Sequence, residues 1–319
     1  MSVKSIVIVV GLIVVQVLLG LLMLSVYHSP KLHELPVAVV GSGAMAEGLV
    51  KQLDGTPELK VQLVGTGKEA RALIDKREVY GAYAPHAKAS TILVASAASP
   101  VIAGVVPQVF APVDAARKVQ AKVTDVKPLP KDDSGGASGY FIALIAIIGG
   151  VLMGWMLELL VPSIKRGPVP TAVRLATIAV FSILSGLALA LIAKSIGAFE
   201  DNVMDVTLAV ALTLFGVSTV QCGYTAVLGG TFGLTFGLTV FILLGVLIAS
   251  GGASAPEFLP DVWNTIGGLL PPRATMEFVK DHAYFAGNGA DTPLLVLLIY
   301  VAMGSISMLA FSFIPWKKS

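Results

Sequence analysis

The chain has 319 residues, of which 55% are hydrophobic and only 13% are charged, and its formal net charge is +2. A soluble domain carries roughly 25% charged residues, so the composition excludes an ordinary soluble protein. The small net charge gives no indication of a nucleic-acid partner. The single cysteine, Cys222, excludes an intramolecular disulfide and a multi-cysteine metal site.

Six apolar stretches are each about as long as a membrane helix, which needs about 20 residues. They cover residues 5–27, 139–162, 172–194, 203–222, 226–250 and 292–315. The first stretch is longer than the apolar core of a signal peptide, and no clear cleavage site follows it. The sequence therefore predicts an α-helical polytopic protein with an N-terminal anchor at 1–27 and a five-helix membrane domain at 138–319.

The distribution of basic residues in short segments predicts the orientation in the membrane. The loop between spans three and four is acidic, with Glu200 and Asp201. The basic short segments all fall on the other side, and contain Lys4, Lys165, Arg166, Arg174, Lys317 and Lys318. This pattern places both termini in the cytoplasm and residues 28–137 outside a plasma membrane. The Ala-, Val- and Gly-rich composition is typical of a bacterial protein.

The insert at 28–137 has the mixed composition of a small extracytoplasmic α/β domain. Strand patterns cover 36–41, 59–64, 79–84 and 91–95, and helical patterns cover 44–53 and 68–76. A longer helical pattern follows at 100–121, with interruptions at Pro107 and Pro112.

The first strand-to-helix turn has the spacing Gly41-x-Gly43-x-x-Ala46, which is that of a dinucleotide-binding fingerprint. Such a site also needs an acidic residue at the end of the second strand. The sequence there is Val64-Gly65-Thr66-Gly67, and the nearest acid, Glu69, is already in the next helix. We therefore interpret the glycines as turn residues and predict no cofactor.

No catalytic constellation is evident, so the sequence does not predict an enzyme. The histidines are scattered, at His28, His33, His86 and His282. His28 and His33 could share a metal with Glu34, but a solvated linker next to the membrane is the favoured interpretation. We predict no metal site.

Three stretches carry a family resemblance. Pro128, Pro130 and Asp133 lead into span two, Pro260 lies in the loop after span five, and a further group precedes the last span: Pro271, Pro272, Arg273, Tyr284 and Phe285. In this order the stretches resemble the ABC-2-type permease superfamily, and most closely its phage-infection-protein (Pip-like) branch. The insert, at about 110 residues, is shorter than in many relatives.

The resemblance implies one span, an extracytoplasmic insert and then five spans. It also implies a homodimer, or a pair with a similar membrane subunit, and a separate ATP-binding subunit. In such permeases the loop between spans two and three docks on the ATPase, which makes Lys165, Arg166 and Arg174 candidate coupling residues. Positive-inside anchoring explains the same charges.

Residues 251–291 contain prolines that cannot continue a membrane helix, with short amphipathic pieces such as 261–270 between them. We expect one or two short re-entrant or interfacial helices here. An ordinary loop is the alternative.

A few polar side chains lie within or at the edges of the spans, where they often mark function. Gln16 is expected to make an interhelical hydrogen bond, and Lys194 and Asp205 could pair. Glu158, like that pair, also lies within snorkelling reach of an interface. The spacing Gly229-x-x-x-Gly233-x-x-x-Gly237 permits close helix contact, in a tight bundle or in a dimer.

Two functions stay open. The first is a permease subunit that exports a hydrophobic or amphipathic compound, such as a lipid, a cell-wall precursor or a drug. The second is a non-transporting scaffold, an accessory subunit of a larger membrane complex, or a surface receptor.

Overall fold

The computed structural model of the chain describes residues 32–160, 167–251 and 255–313, together with scattered helical positions between residues 6 and 24. The described residues form a small α/β domain followed by a mostly helical region. Five of the helices are long and apolar enough to cross a membrane, which identifies a multi-pass membrane protein. The predicted anchor at 1–27 lies largely outside the described residues, so the sixth span stays a prediction.

The α/β domain alternates strands and helices. In chain order these are β1 (Leu35–Val40), α1 (Ala44–Leu53), β2 (Leu59–Val64), α2 (Gly67–Asp75), β3 (Gly81–Pro85), β4 (Ala89–Val94), α3 (Pro100–Arg117) and β5 (Gln120–Asp125). The sheet order is β2-β1-β3-β4-β5. The first three strands are parallel, β4 is antiparallel to β3, and β5 is parallel to β4. The four predicted strands are confirmed with small shifts in their bounds.

The prediction of one interrupted helix over 100–121 is wrong in two respects. Helix α3 continues through Pro107 and Pro112, and Lys118 then ends it in a left-handed conformation with φ 54°. The helix holds together because its buried face, with Ile102, Val106 and Phe110, packs on the sheet while Pro107 and Pro112 stay outside that core. The residues after Lys118 form the edge strand β5, which the sequence analysis did not predict.

Helices cover both faces of the sheet. Helices α1 and α3 pack on one face, where Tyr83 stacks on Phe110 with ring centroids 4.7 Å apart. Helix α2 covers the other face through Ala70 and Ile74. Phe285, from far along the chain, completes this second layer. The α/β domain therefore includes part of the membrane region in its own core.

The membrane region consists of α4 (Ser138–Leu160), α5 (Pro168–Ser195), α6 (Val203–Leu228), α7 (Gly230–Gly237) with a π-helical continuation (Leu238–Ala249), α8 (Asp261–Gly268), α9 (Pro271–Phe285) and α10 (Asp291–Ser312). Helix α6 is central and packs against α4, α5 and α10. In its most apolar window 61% of the residues are buried, against 22% in each of α5 and α10. The bundle is therefore arranged around α6.

The span predicted at 203–222 ends too early, because α6 continues to Leu228 and stops where Gly229 adopts φ 83°. The next span then begins at Gly230 and becomes π-helical at Leu238. The amide of Ser250 donates to the carbonyl of Gly245, which is the i to i−5 pattern of a π-helix. A Cβ at Gly245 would lie 2.9 Å from Pro272, so the absence of a side chain at Gly245 gives room to the start of α9.

Two helices occupy the segment for which short helices were expected, so the ordinary-loop alternative is wrong. Helix α8 follows Pro260, and α9 opens on Pro271 and Pro272, a position where proline costs no hydrogen bond. Helix α9 packs against α4, α6 and α10 and ends at Ala286, with φ 53°. Together α8 and α9 place the α/β domain at one end of the bundle, which we call the domain end.

Candidate functional site at the domain junction

The junction between the α/β domain and α9 is held by a buried ion network. Arg77 follows α2 in a left-handed conformation, with φ 61°, and reaches across to α9. Its guanidinium lies 2.5 Å from Glu277 Oε2 and also donates to Asp281. Lys280 Nζ donates to the other oxygen of Glu277 at 3.0 Å. The exposed fractions of the side chains are only 14% for Arg77 and 1% for Asp281, so water screens this network weakly.

The network shifts the pKa values of its two carboxylates, Glu277 and Asp281, in opposite directions. Burial opposes the charge of Glu277, but Arg77 and Lys280 outweigh it and hold the pKa of Glu277 well below its usual range. Burial, helped by the negative charge of Glu277, outweighs Arg77 at Asp281 and raises the pKa of Asp281 to about 6. Glu277 is therefore the permanent anion of the network, and Asp281 takes up a proton in mildly acidic solution.

Further contacts tie the domain to the loop before α8 and the turn after α9. Tyr80 OH donates to Glu257, and burial raises the pKa of Tyr80 well above its usual range, so it stays a donor. Asn288 Nδ2 donates to the carbonyl of Asp75 at 3.0 Å. The guanidinium of Arg77 also lies 5.4 Å from the ring centroid of Phe285. The junction is thus a packed interface and not a flexible tether.

A cavity of about 360 Å³ lies beside this network, and we call it the junction cavity. Its walls come from the start of α3, the linker 133–137, the first turn of α4, the turn between α5 and α6, and α9. The lining is largely apolar, with aromatic rings and a few charged groups, among them Glu277 and Lys280. A volume of this size lies at the lower end of the range for small-molecule sites, roughly 300–1,000 Å³.

The residues of the family-like motifs come together around this junction. Asp133 accepts the N–H groups of Ala137 and Ser138 and so caps α4. Arg273 Nη1 donates to the side chain and the carbonyl of Asn264, which fixes α8 against α9. Tyr284 lines the cavity and Phe285 enters the domain core. The prolines begin or precede helical turns at this end, except Pro128, which is exposed in the linker.

The far end of the bundle holds a second ion pair. Arg174 Nη1 lies 2.7 Å from Glu158 Oε2, with exposed fractions of 12% and 14% for the two side chains. The assignment of Arg174 to a loop is wrong, because α5 already begins at Pro168 and Arg174 lies in its second turn. The other two candidate coupling residues, Lys165 and Arg166, lie outside the described residues.

The other polar candidates are not brought together. Lys194 is exposed, and within residues 167–251 no ion pair joins it to Asp205. Asp205 instead faces α9, where its carboxylate lies 4.0 Å from His282 Nε2. The pairing prediction was therefore wrong, because Asp205 is turned toward α9. Gln16 occupies a helical position with an exposed side chain.

The glycine motif of span five serves contacts within the chain. A Cβ on Gly233 would meet the backbone of Thr225, and one on Gly237 would meet Gln221. A Cβ on Gly229 would have no neighbour within 4 Å, and Gly229 instead makes the break after α6. The packing role predicted for Gly229 is wrong, while Gly233 and Gly237 allow α7 to lie against α6.

The strand-to-helix glycines make a tight turn. Gly41 and Gly43 adopt φ 151° and 122°, which favour glycine, and a Cβ on Gly41 would lie 2.9 Å from Cβ of Ala46. Glu69, the nearest acid to the ribose position of a dinucleotide site, accepts the N–H of Gly65 at 2.8 Å. This carboxylate therefore serves the start of α2.

Sequence reasoning missed the junction network and the aromatic side chains of the cavity. A signal was present, because Arg273, Glu277 and Asp281 recur every fourth residue on one helix of a chain that is poor in charge. Arg77, which pairs with Glu277 and Asp281, lies 200 and 204 residues before them, and no local pattern pairs the two segments. Within the described residues, no group of three His, Cys, Asp or Glu side chains is placed to hold a metal ion.

Comparison of the chain with models of protein families, with curated proteins and with solved structures gave no match.

Proposed function

We propose that the chain is the membrane subunit of an ABC-2-like permease, which exports a hydrophobic or amphipathic compound with energy from a separate ATPase. The observation that carries the proposal is the junction cavity, which lies at the domain end of the five candidate spans. An apolar cavity with a few charged groups suits a compound that moves between the bilayer and water. The family-like motifs around this cavity support the same assignment.

The charge distribution supports an arrangement with the α/β domain outside the plasma membrane and both termini in the cytoplasm. Residues 5–27 then form a sixth span. The far end of the bundle faces the cytoplasm, and the segment 161–167 between α4 and α5 is the surface for the ATPase. The Glu158–Arg174 pair anchors the start of α5 beside this segment. A homodimer, or a pair with a similar subunit, completes the assembly.

Affinity purification from the native membrane in mild detergent tests the proposal. We expect an ATP-binding subunit to co-purify with the wild-type chain and to be lost from the double variant Lys165→Glu/Arg166→Glu. The double variant Lys317→Glu/Lys318→Glu makes the same charge change at the C-terminus and should retain the ATPase. Co-purification of another membrane complex without any ATPase would refute the permease assignment.

The interior of the bundle favours a second candidate, a non-transporting scaffold, accessory subunit or receptor. Several buried polar side chains of α6 make hydrogen bonds within the bundle, as in Gln221 Nε2 to the carbonyl of Gly233 at 3.0 Å. Thr213 and Thr275 likewise bond to each other at 2.6 Å. A central helix whose polar side chains are bonded inside the bundle is suited to a rigid scaffold protein. Under this second function, vesicles that contain the chain and every co-purifying subunit would show no ATP-dependent export.

A further inference from the structure

The junction cavity has an unusual concentration of aromatic rings. Tyr80, Tyr140, Phe141, Phe199 and Tyr284 all contribute to its wall. They come from four segments of the chain, and two pairs are in contact: Tyr140 with Phe141 at 5.5 Å, and Phe199 with Tyr284 at 6.0 Å between centroids. Aromatic faces carry negative electrostatic potential and attract cations, particularly quaternary ammonium groups. The rings therefore give the cavity a preference in charge as well as apolar surface.

The charged groups of the wall also favour a cation over an anion. Lys280 is paired with Glu277, so its charge is locally neutralised. Asp133 is the other acidic group, and its carboxylate accepts only backbone N–H groups, at 3.0 Å from Ala137 and 3.3–3.4 Å from Ser138. Within residues 32–160, 167–251 and 255–313, no cationic side chain pairs with Asp133. The wall as a whole, with two acids and one lysine, has a formal charge of −1.

The field of Asp133 extends across the cavity. Burial, with the negative charge of Asp133 as the second cause, raises the pKa of Tyr284 to about 12. The hydroxyl of Tyr284 has no hydrogen-bond partner among the described residues. A positive charge held between Asp133 and the rings would be stabilised by both.

Two apolar side chains of the cavity wall are exposed at the surface. Phe141, at the start of α4, is 54% exposed on the side of a candidate membrane helix, and Val101, at the start of α3, is 40% exposed. A ligand that enters between them passes from an apolar surface into a site with negative charge. Such a path suits a molecule with a hydrocarbon part and a cationic head.

We infer that the junction cavity binds a lipophilic cation, with its cationic head against Asp133 and the aromatic rings and its hydrocarbon part toward Phe141. Its role as an export substrate rests on the proposed function, whereas binding itself does not. The same site would disfavour an anionic amphiphile of equal length, because the formal charge of the wall is negative.

The test is equilibrium binding of tritiated dodecyltrimethylammonium to the full chain in nanodiscs of uncharged lipid, below the micellar concentration. We expect saturable binding of this cation, and no saturable binding of labelled dodecyl sulfate in a separate titration under the same conditions. Asp133→Asn keeps an oxygen that can cap α4 but removes the charge, and should weaken binding by about tenfold. Asp132→Asn makes the same charge change at a neighbouring residue outside the wall and should leave binding unchanged.

A second variant keeps the test decisive if Asp133→Asn does not fold. Tyr284→Leu removes the half-buried ring of the wall that lies within the field of Asp133, and should weaken binding of the cation by about fivefold. The inference is overturned if binding of the cation is non-saturable, if all variants bind it equally, or if dodecyl sulfate binds as tightly as the cation in its own titration. Because no ATPase takes part in this assay, loss of the permease assignment in co-purification leaves its outcome unaffected.

Discussion

Replacement of Arg77 by methionine is the most direct perturbation of the domain junction. Methionine keeps a long apolar stem but removes the guanidinium, which contacts both Glu277 and Asp281. Glu277 retains Lys280, whereas no other cation within the described residues pairs with Asp281. The variant therefore leaves a buried carboxylate without its counter-ion. Removal of one partner of a buried ion pair costs more stability than replacement of both partners.

The expected cost follows from burial. Removal of one partner of a buried pair costs about 3–5 kcal/mol, and the 14% exposed fraction of Arg77 places this network near the lower value. A loss of about 3 kcal/mol corresponds to roughly a hundredfold faster opening, at about 1.4 kcal/mol for each factor of ten. Hydrogen–deuterium exchange of the amides in α9 and in residues 75–82 measures this opening directly.

Arg71→Met is the matched control, because Arg71 is exposed on α2 of the same domain. Exchange in α9 should be unchanged in this control. A triple variant, Arg77→Met with Glu277→Gln and Asp281→Asn, should recover part of the loss, since both carboxylate charges are then removed. Equal exchange rates in Arg77→Met and Arg71→Met would refute the view that the ion network holds the junction.

Two further predictions concern pH and helix packing. Burial raises the pKa of Asp281 from 3.8 to about 6, so its stabilisation is full below pH 4 and is lost as pH rises through 6, by on the order of 3 kcal/mol. Thermal denaturation should show this loss between about pH 4 and 6.5 in the wild type and a much smaller change in Asp281→Asn; identical pH profiles would contradict the assignment. Gly237→Leu should destabilise the bundle by about 1–3 kcal/mol, because the new side chain meets Gln221. Gly268→Ala is the control, because a Cβ at Gly268 would have no neighbour within 4 Å. Equal melting temperatures for the two variants would rule out close packing at Gly237.

Much of the secondary structure was predictable because it depends on local patterns. Apolar length identified five of the candidate spans, and alternation of short apolar runs with helical patterns identified the strands β1 to β4. The bounds of helices were less predictable where packing overrides local preference. Helix α3 keeps Pro107 and Pro112 because three apolar side chains on its other face hold it on the sheet.

The candidate site depends on contacts between distant segments, which local patterns do not contain. Arg77 is unremarkable in sequence, and only the tertiary fold brings its guanidinium to 2.5 Å from the carboxylate of Glu277. Lys194 and Asp205 do lie on helices that pack against each other, as the pairing prediction assumed. The sequence did not show that α6 is rotated so that Asp205 faces α9 instead of Lys194. Charge scarcity alone would have directed attention to α9, since a membrane chain rarely places several charges on one helix face without partners.

The turn at Gly41 shows why a motif of this kind needs evidence from elsewhere in the fold. A strand that passes directly into a helix requires close approach of Gly41 to Ala46, whether or not a phosphate is bound at the helix. The spacing of the glycines therefore reports backbone geometry and not ligand chemistry. The discriminating residue lies at the end of β2, where Thr66 Oγ1 accepts the N–H of Glu69 and the Glu69 carboxylate accepts the N–H of Gly65. This reciprocal cap starts α2 and occupies the one nearby acid, so the turn is explained by folding alone.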